Sequence, residues 1–381
     1  MRRGLSRFGA AGLGLAASLG LAAGGCTEIP DIAYETEHFE IAPDFDYPIC
    51  AGTLAYFEAH LSSVESSLSR TVPFGERIRF YWITKNLDSW CSERALGCYY
   101  PGTRVIIGTG ESVSHEIVHA VLNAEAQTNY FLEEGIAELY SGVGAYRRAS
   151  LDSRPDPSEL LWLSPTDYRF GELDYAVAAH FMAYIEHEFG DGSTRGIADV
   201  IVTAAGPPEL EASFERFTGI SFAQLERNYD HFARNHYQGL HDQDITPIET
   251  KRWIDVSLRC DQDDTFGPLT DGSPGMYRSL RLELDDPQTV DVELRAPERV
   301  SVEIVDVRRE RGSGVVLDFR HPKPSGVNEH PVLRGGESSA VHLRAGTHLL
   351  IISQPDYDYS DAFLHVVPRQ FPRSNDDQLP P

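Results

Sequence analysis

The chain has 381 residues, with 33 basic against 58 acidic side chains, a formal net charge of −25 and 41% hydrophobic residues. The length accommodates two domains. The negative charge is spread along the chain, which excludes nucleic acid and anionic membrane surfaces as electrostatic partners and favours solubility outside the cell.

The N-terminus reads as a targeting segment. Arg2, Arg3 and Arg7 form a basic start, and an Ala/Gly/Leu-rich stretch follows from Phe8 to Ala23. It ends in Ala23-Gly24-Gly25-Cys26, which resembles a bacterial lipobox, although Leu21 stands two positions earlier than the usual leucine. Residues 1–26 are therefore expected to be a lipoprotein signal peptide acylated on Cys26. Cleavage nearby by the ordinary signal peptidase is the alternative. No later run reaches the roughly eighteen apolar residues that span a bilayer. The mature chain is expected in a bacterial cell envelope, on the periplasmic or surface side, as a monomer that is anchored by lipid alone or released.

Export places the remaining cysteines in an oxidising compartment. Cys50, Cys91, Cys98 and Cys260 allow three pairings. Cys91 with Cys98 closes a local loop and leaves Cys50 to pair with Cys260. A cysteine metal site would want a CxxC spacing, which the chain lacks.

From residue 27 to 245 helical and strand patterns alternate. A helix at Thr53–Arg70 precedes a strand at Arg77–Thr84 and a short strand at Thr103–Gly108. Helical patterns then cover 115–122, 131–138, Tyr175 to about Phe189-Gly190, and Ser221–His236. This half is α+β. From 250 to 370 helix patterns stop and short alternating runs take over: Tyr277–Leu284, Val290–Leu294, Val300–Val307, Val315–Phe319, Ala340–Leu343, Thr347–Ser353 and Ala362–Val367. Turn residues punctuate them, as in a β-sandwich. Residues 371–381 read as a disordered tail.

The chemistry concentrates in the segment His115-Glu116-Ile117-Val118-His119. On a helix, residues four apart share a face, so both histidines can address one ion. Glu116 projects beside them, where a general base for a metal-bound water would sit. The apolar flanks (Ile117, Val118, Ala120, Val121, Leu122) suit a buried helix. A catalytic ion of this kind takes three protein ligands, and the next helical segment, Phe131-Leu132-Glu133-Glu134-Gly135-Ile136-Ala137-Glu138, offers carboxylates for the third.

These residues resemble a gluzincin metallopeptidase, of the peptidase-MA-like kind that includes thermolysin and the membrane alanyl aminopeptidases. There a second helix supplies the third zinc ligand from a Glu within an E-G-x-A stretch. The resemblance implies one Zn2+ per chain on His115, His119 and Glu134, although the spacing is shorter than in the best-known members. It leaves Glu133 as a neighbour facing solvent. The small Gly135 and Ala137 would let two helices share the ion. Glu138, four residues after Glu134, falls where similar families place a carboxylate on a ligating histidine, here His115. The resemblance also makes Tyr175 the oxyanion donor at the start of its helix, with Tyr140 and Tyr184 as core alternatives. His180 and His187 lack a carboxylate at useful spacing and read as surface or pocket-wall residues. An edge strand at 103–108 would take the substrate as an added strand. No G-x-M-E-N-like segment lies between Cys98 and Glu111, which disfavours action on free N-termini.

The resemblance thus implies a zincin-like domain that hydrolyses peptide bonds in proteins or peptides, as a metalloendopeptidase. The C-terminal stretch 343–350 resembles the jelly-roll modules appended to many secreted bacterial peptidases. The competing reading is a catalytically silent scaffold that binds a glycan or a partner through its sandwich, a role for which Glu116 would be superfluous.

Overall fold

Strand and helix alternate from the first elements of the computed structural model, which describes residues 29–91, 95–110, 112–123, 129–141, 157–161, 175–203, 206–232, 244–269, 272–306 and 331–369. The expected signal peptide with Cys26, the strand at 315–319, the end of the helix expected to reach His236 and the tail lie outside these residues.

Tyr34–Glu35 (β1) pairs antiparallel with Phe39–Pro43 (β2), and the helix Ala51–Leu68 (α1) then carries the chain to Ile78–Trp82 (β3), parallel to β2. A helical crossover is what a parallel pair requires. Gly97–Tyr100 (β4) and Val105–Gly108 (β5) complete a five-stranded sheet of order β1-β2-β3-β5-β4. The strand expected at 103–108 is therefore interior, between β3 and β4. Among the described residues the edge on this side of the sheet is β4, which runs antiparallel to β5.

Helices follow: Val113–Leu122 (α2), Tyr130–Tyr140 (α3), Pro157–Leu161 (α4), Tyr175–Phe189 (α5), Asp191–Ile201 (α6), Pro207–Thr218 (α7) and Phe222–Tyr229 (α8). One continuous apolar core joins them to the sheet, through Phe39, Phe80 and Trp82 on the strands and Phe57, Ile117, Phe131, Ile136, Phe181 and Phe214 on the helices. Gly135 lets α3 approach α5: a Cβ there would lie 2.7 Å from the Ala178 carbonyl oxygen and 2.8 Å from Met182 Cγ. Its small size thus serves the approach of the helix that carries Tyr175.

The remaining strands are Trp253–Asp255 (β6), Met276–Leu284 (β7), Gln288–Arg295 (β8), Ser301–Asp306 (β9), Val332–Arg334 (β10), Ser338–Leu343 (β11), Gly346–Gln354 (β12) and Phe363–Pro368 (β13). They form two antiparallel four-stranded sheets, β10-β9-β12-β7 and β11-β8-β13-β6. Between them lies a shared core that includes Leu280, Leu282, Val292, Leu294, Ile304, Leu350, Ile352, Leu364 and Val366. The expected order, a mixed α/β part followed by a β-sandwich, is present. The uninterrupted apolar run Leu349-Leu350-Ile351-Ile352 has its reason in burial on both faces: Leu349 and Ile351 pack outside the sandwich with Ile245, Tyr277 and Phe266. Phe266 in turn meets Tyr56 of α1.

The two parts are joined at the N-terminus of α1. Disulfides link Cys50 with Cys260 and Cys91 with Cys98, the pairing expected. Backbone N–H groups of Cys50, Ala51 and Gly52 donate to the carbonyls of Gly267, Cys260 and Thr265. Among the described residues no helix is long and apolar enough to cross a membrane.

Candidate metal centre

Helix α2 is buried on nearly every side, with Val113, Ile117, Val118, Ala120 and Leu122 in the core. It ends on Asn123 in the left-handed region (φ 43°), whose side-chain oxygen accepts from the Tyr99 hydroxyl at 2.5 Å and the Gly102 N–H at 3.2 Å. Helix α3 starts on Asn129, which accepts from Leu132 N–H at 3.1 Å while its own amide donates to the Leu161 carbonyl at 2.7 Å. The C-terminal end of α2 and the N-terminal end of α3 are thus both pinned.

Where they meet, three side chains converge. His115 Nε2 and His119 Nε2 are 3.0 Å apart, and Glu134 Oε2 lies 3.0 Å from the first and 3.4 Å from the second. His115, His119 and Glu134 form a group that can hold a metal ion. The spacing supports that fit: three donors about 2 Å from a tetrahedral ion sit about 3.3 Å from one another. Glu134 is therefore the member of the Glu133-Glu134 pair that joins the histidines.

The other nitrogens of the two rings meet carboxylates. His115 Nδ1 lies 3.3 Å from Glu138 Oε1, an ion-pair distance at an angle short of a hydrogen bond. His119 Nδ1 is hydrogen-bonded to Glu133 Oε1 at 3.1 Å. Glu138 thus stands where its spacing puts it. Glu133 does not face solvent as expected: its side chain is only 12% exposed and turns inward to His119. Its offset from Glu134 could not reveal this, because the inward face of α3 is set by α2. Along the contact the two helices run in opposite senses, so that 119 meets 133 while 115 meets 138.

The charges respond to this packing. Burial works to lower the His115 pKa, yet Glu134 and Glu138 outweigh it and raise it to about 9. His119 is likewise raised against its burial, by Glu134 and Glu133. Burial would raise Glu134, but the two histidines hold it far below the usual carboxylate range. Glu116 goes the other way: burial raises it, against the pull of His115 and His119.

Glu116 is 6% exposed and rests against the edge strand. A Cβ on Gly97 would lie 2.8 Å from Glu116 Oε1 and 2.4 Å from Ser112 Oγ, so only glycine leaves room for both. Gly108, which pairs with Gly97 across the strands, is pressed by the same Ser112 hydroxyl. Further along β4, the Tyr99 ring lies parallel to that of His119, 6.4 Å away and 8° from coplanar orientation. Neither Gly97 nor Tyr99 stands out in the sequence, because β4 and α2 meet only in the fold, with β5 between them along the chain.

Tyr175, at the start of α5, has its ring 6.2 Å from that of His115 and so borders the cluster. Tyr140 and Tyr184 are core residues: the Tyr140 hydroxyl donates to Glu186, and Tyr184 packs on Phe181, Tyr229 and Phe232. His180 is not at the surface. It is 3% exposed, with Nδ1 hydrogen-bonded to the Tyr229 hydroxyl at 2.9 Å, whereas His187 is exposed.

No family model matches the chain, and no curated protein does. Among solved structures it is similar to the pre-peptidase C-terminal domain of a collagenase from Bacillus anthracis, at 10% identity and a TM-score of 0.21, over 32% of this chain and 93% of that one. A second similarity, at 8% identity and a TM-score of 0.16, is to a family GH115 4-O-methyl-α-glucuronidase with specificity for decorated arabinogalactans, over 67% of this chain and 41% of that one. Neither score reaches the range in which a common fold is read.

Proposed function

We propose that the protein is a zinc-dependent peptidase of the gluzincin kind, working outside the cytoplasm on peptides or proteins. One observation carries the reading: the donor atoms of His115, His119 and Glu134 converge with buried Glu116 beside them. Two imidazoles and a carboxylate are a donor set suited to catalytic zinc. Bound there, zinc would supply Lewis-acid activation of a water and of the scissile carbonyl.

The residues of the chain do the rest. Glu116 takes a proton from the water and returns it to the leaving amine. Tyr175 donates its hydroxyl to the developing oxyanion, for which a neutral phenol is suited. The edge strand β4 offers backbone groups to an extended substrate, in place of the strand at 103–108. The two disulfides agree with an oxidising compartment and so with an exported chain, anchored through Cys26 or released.

Purified mature protein should contain about one zinc per chain, as a three-ligand site implies. Glu116→Gln should keep the metal and lose at least about 100-fold in turnover on a diverse peptide library, the scale of a lost general base. A chain without metal sinks the zinc reading. A metal-loaded wild type that cleaves nothing in the library makes the protein a binding scaffold.

A further inference from the structure

We propose that Glu133 is a positioning residue of the metal centre, holding His119 from behind. This rests on the metal-binding reading of His115, His119 and Glu134.

An imidazole binds an ion only through a nitrogen that carries no proton, and the partner of the other nitrogen decides which one that is. A carboxylate accepts and cannot donate. With Glu133 Oε1 at 3.1 Å, Nδ1 of His119 keeps its proton, and the Nε2 lone pair is left for the ion. The same Nε2 faces His115 Nε2 at 3.0 Å and Glu134 Oε2 at 3.4 Å, so the nitrogen freed by Glu133 is the one at the centre of the cluster. The slight exposure of Glu133 keeps bulk water from competing for the bond. The consequence is a site in which both ligating rings have a carboxylate of α3 behind them, hydrogen-bonded at His119 and at ion-pair distance at His115.

Two measurements test it on the full mature chain. In metal-free protein, long-range proton–nitrogen NMR of the imidazoles should show a His119 Nδ1 proton protected from solvent exchange. Glu133→Gln should weaken that protection and Glu133→Leu should abolish it. Zn2+ alone, titrated against a chromophoric chelator, should bind about 10-fold more weakly to Glu133→Gln and about 100-fold more weakly to Glu133→Leu, the range for lost partners of ligating histidines. Exposed Glu211→Gln should bind as wild type does. Full protection of the proton in Glu133→Leu overturns the proposal, and so does Zn2+ affinity within twofold of wild type. Should Glu133→Leu misfold by near-ultraviolet circular dichroism, the isosteric Glu133→Gln decides between the outcomes. A wild type that takes up no Zn2+ defeats the metal reading, while the NMR comparison still decides whether Glu133 holds His119.

Discussion

A methyl group on Gly97 would collide with two side chains of the segment that carries the histidines, Ser112 and Glu116. The chain solves a crowding problem here by omission. Ser112 Oγ occupies the space, donating to the Leu96 carbonyl at 2.8 Å, and so ties the strand to the start of α2. Glu116, one turn later, inherits its position from that tie. Gly97→Ala should therefore leave the zinc content unchanged, since no ligand touches Gly97, while displacing the Glu116 carboxylate. Turnover should fall about 100-fold, the cost of misplacing a reacting group by about 1 Å. Overpacking should also cost about 1–3 kcal/mol of stability. Kinetics and metal analysis on the same preparation check this. Wild-type turnover in Gly97→Ala would show that Glu116 does not depend on the strand.

At the scale of elements, legibility follows the strength of local pattern. Helix α2 is readable because its histidines repeat at the helical spacing within an apolar run, and the strands of the sandwich because their alternation is regular. The edge strand β4 is not readable: Gly-Cys-Tyr-Tyr is too short to alternate, and its role depends on partners two elements away. The stretch that forms α6 and α7 carries glycines and a Pro-Pro pair that resemble turns. In place, the prolines open α7 at its first positions, where no N–H is needed, and Gly196 admits the Phe217 ring. Position 133 is hidden for a related reason, since which face of α3 is inward depends on how α2 crosses it. Another tie between elements has a pH signature. Glu58 on α1 accepts from the Thr36 hydroxyl at 2.5 Å and the His38 N–H at 2.8 Å, and its second oxygen meets the His38 ring at 2.7 Å. Burial acts to raise its pKa, but these bonds from Thr36 and His38 prevail and lower it below the ordinary 4.5. A carboxylate depressed on folding stabilises the protein fully above its unfolded value and loses that contribution as pH falls through the folded value. Glu58→Gln should thus destabilise by about 1 kcal/mol at pH 7, a figure that allows for its partial solvent screening. The difference from wild type should shrink below about pH 4. Denaturant midpoints at several pH values decide it; a difference that grows toward acid would contradict the expected sign.

The whole molecule depends on how α1 begins. The first N–H groups of a helix have no partner within it. Here Cys50, Ala51 and Gly52 find theirs in carbonyls of residues 260–267, more than two hundred positions along the chain, and Thr53 Oγ1 adds a bond to the Gly267 carbonyl at 3.1 Å. Gly52 permits the approach, because a Cβ there would lie 2.5 Å from the Thr265 carbonyl oxygen. The sandwich therefore caps the helix that packs beneath the sheet, and the Cys50–Cys260 disulfide locks a joint that hydrogen bonds already make. Closing a loop with a sequence separation of 210 should contribute about 5 kcal/mol through the unfolded chain. Replacing both cysteines by alanine should lower stability by that amount yet leave a single unfolding transition, since the capping bonds remain. Zn2+ affinity should change less than twofold, because the ligands sit on α2 and α3, away from the joint. Denaturant unfolding followed by circular dichroism and by tryptophan fluorescence provides the check: two separated transitions in the variant would mean that the disulfide alone unites the two parts.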